Sequence, residues 1–221
     1  MSVGEQQAVV TPPDVVPDGT GHVIHDATAP AHHTTTGVSN EKLGMWLFLG
    51  SECLLFGGLI SAFLLYRSKD LPDMAGPTVA SLYDVPFTSV SSFVLLMSSL
   101  TMVLSLSAIQ RADHRRARTW LLTTALLGST FVAGQVYEFT TFVGEGLGYT
   151  TNLQSSAFYT LTGFHGVHVT IGILMLLSLF VMSLRGRLPA GRSETLEIIG
   201  LYWHFVDIVW IIIFTLVYLI G

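Results

Sequence analysis

The stretch Leu43-Gly-Met-Trp-Leu-Phe-Leu-Gly-Ser-Glu-Cys-Leu-Leu-Phe-Gly-Gly-Leu-Ile-Ser-Ala-Phe-Leu-Leu-Tyr66 is uncharged except for one acidic residue, Glu52. It is longer than the about 20 residues that an α-helix needs to cross a hydrocarbon layer about 30 Å thick. A carboxyl group at the bilayer centre costs roughly 2.5–3.5 kcal/mol, so such a residue normally faces the protein interior and has a partner. The stretch therefore predicts a membrane-spanning helix, and Glu52 predicts a polar partner on another helix.

The composition of the whole chain is that of an integral membrane protein. Half of the 221 residues are hydrophobic, 11% are charged and the mean hydropathy is +0.59, which excludes an ordinary soluble domain. The net charge of -5 does not describe a surface for nucleic acid. Because Cys53 is the only cysteine, the chain contains no pair of thiols for a disulfide, a haem attachment or a thiolate metal site.

Five long apolar segments predict an all-α membrane protein, a bundle of five transmembrane helices. Their lengths and their lack of alternating polarity argue against the strands of a barrel. The segments lie at about 42–67, 86–110, 118–141, 155–184 and 196–220.

The distribution of arginine predicts how the bundle is oriented. Arginines concentrate in the loops after the second and fourth helices, and the positive-inside rule places such loops in the cytoplasm. We therefore expect a cytoplasmic N-terminus and an external C-terminus. The arginines concerned are Arg111, Arg115, Arg116, Arg118, Arg185, Arg187 and Arg192.

Residues 1–40 form a predicted domain of their own, separate from the membrane domain at 41–221. They include four prolines among polar residues and show no apolar periodicity, which is typical of a disordered or extended cytoplasmic tail. No basic region precedes an apolar core here, so we expect no cleavable signal peptide. The tail histidines lack a preorganised scaffold, and we interpret them as solvated side chains rather than metal ligands: His22, His25, His32 and His33.

A small set of polar residues lies at membrane depth. At about 1.5 Å per residue from the external helix ends, Glu52, His168 and His204 fall in one layer. A carboxyl group and an imidazole in one layer can satisfy each other by a hydrogen bond, and either histidine can be the partner of Glu52 at this stage. The full set is Glu52 in the first helix, Gln135 and Glu138 in the third, His165 and His168 in the fourth, and His204 and Asp207 in the fifth.

The same residues allow interpretations other than structural pairing. Intramembrane carboxylates and histidines also mark proton relays and ion sites. The pairs with three-residue spacing would suit zinc or non-haem iron, but the predicted membrane segments contain too few histidines for a typical site. Glu138 lies near the external end of its helix, so a carboxylate solvated at the interface and a buried polar group are both open for it. The serines and glycines of the second and third helices indicate close helix packing.

Four motifs occur in a characteristic order: GMWLFLGSECLLFGG, QVYEF, AFYTLTGFHGVHVTIG and YWHFVDIVWIIIFTLVYLIG. In this order they resemble subunit III of the haem-copper oxygen reductases, over about residues 42–221. The chain is similar to the short bacterial form with five helices. Longer members have two further N-terminal helices, which help to form a lipid-filled cleft.

The resemblance implies a subunit without haem or copper that lies beside subunits I and II of a proton-pumping, aa3-type cytochrome c oxidase. Those partners carry haem a and copper, and the complex reduces oxygen to water in the bacterial cell membrane. The resemblance also implies bound phospholipid, and leaves open a supercomplex with a cytochrome bc complex. In the family, Glu52 corresponds to the carbodiimide-reactive glutamate and His168 to its partner. The alternatives are the same subunit of a quinol oxidase and a stand-alone proton or ion transporter.

Overall fold

The computed structural model describes residues 15–17, 23–25, 39–67, 84–185 and 193–220. Most of these residues belong to five long helices, which confirms the predicted all-α bundle. A π-helical segment, Thr215–Leu219, continues the last helix. The helices are α1 (Asn40–Arg67), α2 (Val85–Gln110), α3 (His114–Gly144), α4 (Leu153–Leu184) and α5 (Ser193–Phe214).

Side-chain caps set where three of the helices begin. The carboxylate of Asp84 accepts a hydrogen bond from the backbone N–H of Phe87, and Asp113 does the same for Arg116, both at 3.1 Å. Asn152 begins α4 with a reciprocal capping box that includes the Ser155 side chain. These caps satisfy N–H groups that have no partner within the helix. They explain why α3 begins four residues before the predicted segment at 118.

Four helices are long and apolar enough to cross a membrane: α1, α2, α4 and residues 194–219. The remaining helix, α3, is 31 residues long but more polar. Its buried residues include Thr124, Gln135 and Glu138. Because α3 packs along both α2 and α4, these polar groups face other helices, and α3 completes the five-helix bundle.

Helix α1 lies at the edge of the bundle. Its buried residues are seven apart, Leu49, Phe56 and Phe63, so only one narrow stripe of the helix is covered. On the opposite side Leu54 is 80% exposed. The backbone of α1 lies further from its neighbours than those of the other helices do. The helix therefore meets the bundle through long side chains.

The end of α1 is joined to the end of the chain's last helix by an arginine. Arg67 donates hydrogen bonds to the carbonyl oxygens of Leu216 and Ile220, at 3.1 and 2.5 Å. The last carbonyl groups of a helix have no partner within it and carry partial negative charge. The guanidinium group of Arg67 thus satisfies carbonyl groups at the end of the chain's last helix. The same hydrogen bonds attach the end of α1 to that helix.

The indole of Trp203 fills a slot between α3 and α4 that two glycines make possible. A Cβ atom at Gly128 would lie 2.5 Å from the Trp203 ring, and one at Gly172 would lie 2.8 Å from it. Trp203 is fully buried, and its Nε1–H donates a hydrogen bond to the Ser98 hydroxyl at 3.0 Å. No larger residue fits at either glycine without displacing the ring.

The hydroxyl groups of α2 do more than allow close packing. Ser98 binds the indole of Trp203, and Ser92 accepts a hydrogen bond from Nε1–H of Trp210 at 2.8 Å. The sequence analysis interpreted these serines only as small residues. In the structure they also satisfy the polar atoms of the large aromatic residues of α5.

Residues Met1–Leu43 form a compact unit separate from Gly44–Gly221. Within it, β1 (Val15–Pro17) and β2 (Val23–His25) pair antiparallel, with Val16 opposite Ile24. The sequence analysis did not predict this pairing. Most of the predicted tail lies outside the described residues, including His22, His32 and His33, so its interpretation as a tail stays a prediction.

Replacing Gly172 with Ala should destabilise the bundle by about 1–3 kcal/mol, the usual cost of overpacking a filled core. The new methyl group would overlap the ring of Trp203. Gly163→Ala on the same helix is the matched control, because nothing lies within 4 Å of its added Cβ. Thermal denaturation of the detergent-solubilised protein measures the difference. Equal denaturation temperatures for the two variants would contradict the close packing of the Trp203 ring against Gly172.

Candidate functional site

The structure brings Glu52 of α1 against His168 of α4. The distance between Glu52 Oε2 and His168 Nε2 is 3.1 Å, and the two side chains are only 14% and 12% exposed. Depth along the helices left both His168 and His204 open as this partner, and the family resemblance implied His168. His204 lies elsewhere, against α2.

A second hydrogen bond fixes the protonation pattern of His168. Its Nδ1 lies 2.7 Å from the carbonyl oxygen of Phe164. A carbonyl oxygen only accepts hydrogen bonds, so Nδ1 carries a hydrogen. Nε2 then either accepts the hydrogen of a protonated Glu52 or, as part of an imidazolium, donates to the carboxylate. In both forms the two side chains share one proton, and the pair has no net charge.

Aromatic residues enclose the pair and connect it to α5. Phe56 is buried, and its ring meets the His168 ring edge-on with the centroids 5.1 Å apart. The Tyr202 hydroxyl donates a hydrogen bond to the backbone carbonyl of His168 at 3.0 Å. Three helices, α1, α4 and α5, therefore meet at this pair.

His165, one helical turn from His168, has a different environment. It is completely buried and stacks on Trp210, with the ring centroids 4.8 Å apart. The ring of Phe131 meets it edge-on. Neither ring nitrogen of His165 has a hydrogen-bond partner among the described residues. Aromatic packing, rather than a polar partner, holds this side chain.

His204 and Asp207 lie where α5 meets α2. Nδ1 of His204 is 2.5 Å from the Ser99 hydroxyl oxygen. Asp207 is buried, and neither of its carboxyl oxygens makes a well-formed hydrogen bond to another group in the part of the chain that the structure describes. The Ser99 hydroxyl is the polar group close to this carboxyl. Ser99 was not among the predicted site residues.

Of the two possibilities that the sequence left open for Glu138, solvation at the membrane interface is the wrong one. Glu138 is 6% exposed. The Thr88 hydroxyl donates to one of its carboxyl oxygens at 3.0 Å, and the Tyr218 hydroxyl donates to the other at 3.1 Å. Tyr218 belongs to the π-helical segment, which brings it over the end of α3. Glu138 thus joins three helical elements.

Gln135 joins α3 to α4 beside the FHGVHV motif. Its amide donates a hydrogen bond to the carbonyl oxygen of Thr162 at 3.1 Å. A Cβ atom at Gly166, the glycine of the motif, would lie 2.6 Å from the side-chain oxygen of Gln135. A larger residue at position 166 would therefore force the end of the Gln135 side chain to shift.

The polar residues at depth thus divide into separate groups. Glu52 pairs with His168, while His165, His204 and Glu138 each have different surroundings. Among the described residues, no group of three His, Cys, Asp or Glu side chains could hold a metal ion. The sequence signal that would have found Ser99 and Thr88 is the repeated occurrence of hydroxyl residues within α2, on the side that meets α3 and α5.

The bundle and its buried polar joints define a multi-pass helical membrane protein. Residues 19–221 match the sequence profile of the family described as cytochrome c oxidase subunit III. The chain belongs to the cytochrome c oxidase subunit III family and is thus subunit III of a haem-copper oxidase, an oxidoreductase complex of the cell membrane. The resemblance in the sequence motifs is confirmed.

Individual relatives carry two names. The chain is 38% identical over 193 residues to cytochrome c oxidase subunit 3 of Bacillus sp. (strain PS3), covering 87% of this chain and 92% of the relative. It is 37% identical over 183 residues to the protein of that name from Bacillus subtilis (strain 168), covering 82% and 87%. It is 36% identical over 197 residues to a probable quinol oxidase subunit 3 of Staphylococcus saprophyticus, covering 89% and 96%.

The variants Glu52→Ala and His168→Ala should each destabilise the subunit by about 1–3 kcal/mol, because each leaves a buried polar group without its partner. The double variant should cost less than the sum of the two, since both groups are then absent. Thermal denaturation of the purified complex, monitored by the release of this subunit, measures the effects of the two single variants and of the double variant.

Thr170→Val is the control for that cycle. Thr170 is exposed on α4, and its hydroxyl binds only the carbonyl oxygen of Gly166 in the same helix. It should change the denaturation temperature little. Strictly additive effects of the Glu52 and His168 variants would contradict the coupling of the pair.

Proposed function

We propose that this chain is the non-catalytic subunit III of a proton-pumping cytochrome c oxidase and binds beside subunits I and II. In this proposal the partner subunits hold haem a and copper, oxidise cytochrome c and reduce oxygen to water. Subunit III stabilises the complex, binds phospholipid and supports proton uptake. Its N-terminus is cytoplasmic and its C-terminus external.

The observation that carries the proposal is the use of buried polar groups as joints between helices. Glu52 joins α1 to α4, Glu138 joins α3 to α2 and the π-helical segment, and Gln135 joins α3 to α4. Groups used in this way hold a bundle together, whereas a catalytic centre keeps positions open for substrate. A stabilising role fits this arrangement.

The exposed surface of the bundle supports the lipid and partner part of the proposal. Large apolar side chains are exposed on every helix, for example Leu47 and Leu54 on α1, at 70% and 80%, and Leu174 on α4, at 61%. Such a surface packs favourably against acyl chains or against other membrane helices. A bundle of this kind can shield the flank of a neighbouring subunit and retain lipids there.

The orientation and the effect on proton uptake rest on charge. Arg111 lies in the turn between α2 and α3, and Arg115 and Arg116 lie in the first turn of α3. The positive-inside rule favours a cytoplasmic position for this end of the two helices. Charged residues near the membrane surface change the local potential. Such residues beside a proton entrance on a neighbouring subunit would alter the rate at which protons reach it.

A quinol oxidase is the second candidate, because the relatives of similar identity include probable quinol oxidase subunits. Electron entry is built on another subunit, so the buried groups of this chain do not distinguish the donors. We place cytochrome c first because the matched family and both Bacillus relatives are named for it. The third candidate, a stand-alone transporter, has no such support.

Removing the subunit should leave the initial rate of oxygen reduction largely intact, because the redox centres lie in other subunits in this proposal. Activity should then decline over repeated turnover, and proton uptake should be slower, since the flank of the catalytic subunit is no longer covered. Oxygen consumption by complexes with and without the subunit, followed through many turnovers at several pH values, measures both effects.

Two outcomes would contradict the proposal. Immediate and complete loss of haem reduction would place this chain on the electron path, and identical decay curves would remove its protective role. The absorbance spectrum of the isolated subunit is the control, and it should show no stoichiometric haem band. The same oxygen measurements with reduced cytochrome c and with a quinol identify the electron donor.

A further inference from the structure

A polar spot lies on the outer surface of the bundle where α2 and α5 meet. It consists of the partly exposed side chains of Ser99 and His204, whose hydroxyl oxygen and Nδ1 are 2.5 Å apart. The second ring nitrogen of His204, Nε2, has no hydrogen-bond partner in the described ranges. Nor is it among the buried side-chain atoms that lack a partner in the part of the chain that the structure describes. Nε2 therefore faces outward.

This spot lies at the depth of the hydrocarbon core. His204 is ten residues from Glu194, and Ser99 is eleven residues from Gln110, the nearer ends of the two spans. At about 1.5 Å per residue, both side chains are about 15 Å from the nearer helix end. That distance equals half the thickness of a hydrocarbon layer of about 30 Å.

Other exposed hydroxyl groups on the helices do not need a partner. Ser61, Thr130 and Thr170 each donate a hydrogen bond to a carbonyl oxygen one turn earlier in their own helix, at 2.7, 2.9 and 2.8 Å. Ser99 makes no such bond among the described residues and binds His204 instead. Lipid has no group that can satisfy the outward nitrogen of His204, and polar residues at this depth normally face protein.

Apolar side chains surround the polar spot on both helices. Leu96 and Val103 are 40% and 50% exposed on α2, and Ile208 and Ile211 are 56% and 42% exposed on α5. The small Ser99 lies between them and leaves room for a neighbouring helix to approach. An apolar rim around a hydrogen-bonding centre is the pattern of a helix–helix contact within a membrane.

We propose that the α2–α5 face, defined by Leu96, Ser99, Val103, His204 and Ile208, docks a transmembrane helix of another oxidase subunit. That helix presents a hydroxyl or amide side chain at the depth of His204. Such groups both donate and accept hydrogen bonds, so they satisfy Nε2 in either neutral tautomer of the imidazole. The inference rests on the proposed function, in which this subunit assembles with others.

A bulky residue placed on the face tests the docking. Ile208→Trp should prevent a partner helix from approaching. Leu174→Trp on α4 should be tolerated, although Leu174 is slightly more exposed, at 61% against 56% for Ile208. The measurement is the amount of this chain relative to haem in the detergent-purified oxidase. The amount in membranes before solubilisation reports whether each variant folds. Val103→Trp on α2 replaces Ile208→Trp if the latter is absent from membranes.

The possible results separate the two proposals. If Ile208→Trp is lost from the purified oxidase and Leu174→Trp is retained, the docking face is supported. Retention of both variants, or loss of Leu174→Trp to the same extent, overturns it. If the unaltered chain itself fails to purify with haem, the proposed function fails instead, whatever the variants do.

Three further variants test the hydrogen bond at the centre of the face. His204→Leu should reduce retention several-fold, while His204→Gln should restore much of it because an amide reaches the same partner. Ser99→Ala should reduce retention much less than His204→Leu does, since it removes only contacts within this chain, to His204 and beside Asp207, and leaves Nε2 in place. Two results would overturn the proposed hydrogen bond to a partner helix. One is an equal loss of retention for His204→Leu and His204→Gln, and the other is a loss for Ser99→Ala as large as that for His204→Leu.

Discussion

Inside a bilayer no water is available to satisfy a polar atom, so a polar side chain at depth is stabilised when it finds a partner within the protein. Among the described residues the buried side chains of His165 and Asp207 are exceptions. Much of the structure follows from that constraint. Ser92 of α2 accepts the indole hydrogen bond of Trp210 of α5, and Glu138 receives hydrogen bonds from two hydroxyl groups on different elements. The pair of Glu52 and His168 is the same solution for α1, which has few other contacts. Polar residues here act as specific joints, and apolar packing fills the space between them.

The helices of the bundle are therefore held together in two ways. Among α2, α3, α4 and α5 the contact is close, and the glycines at 128 and 172 admit the whole indole of Trp203. Helix α1 instead stands away from its neighbours and is attached at separate points, through its buried aromatic residues, the Glu52 pair and Arg67. Most of its surface, including Leu54, is left for lipid or for other subunits. A subunit that must fit beside others benefits from such an uncovered helix.

The sequence predicted the helices well because span length and apolarity are properties of single segments. It also predicted that Glu52 needs a partner, and it limited the choice by depth. It could not choose between His168 and His204, because depth along a helix contains no information about rotation around its axis. That rotation is set by packing, which turns His204 toward Ser99 of α2. The burial of Glu138 stayed open for a similar reason, since no local pattern indicates that the π-helical segment brings Tyr218 over it. The pairing of β1 with β2 had no detectable signal in the sequence.

The shared proton of Glu52 and His168 has an electrical consequence. Because the Phe164 carbonyl group fixes one hydrogen on the imidazole, both arrangements of the remaining proton leave the pair without net charge. Moving one elementary charge across the whole membrane changes its energy by about 2.3 kcal/mol for every 100 mV of potential, so an isolated charge within the membrane experiences a force. A neutral pair experiences no such net force, so the attachment of α1 keeps its strength whether the membrane is energised or discharged. A helix attached through a single ionised side chain without a counter-ion would instead respond to the voltage, since its net charge would lie in the field.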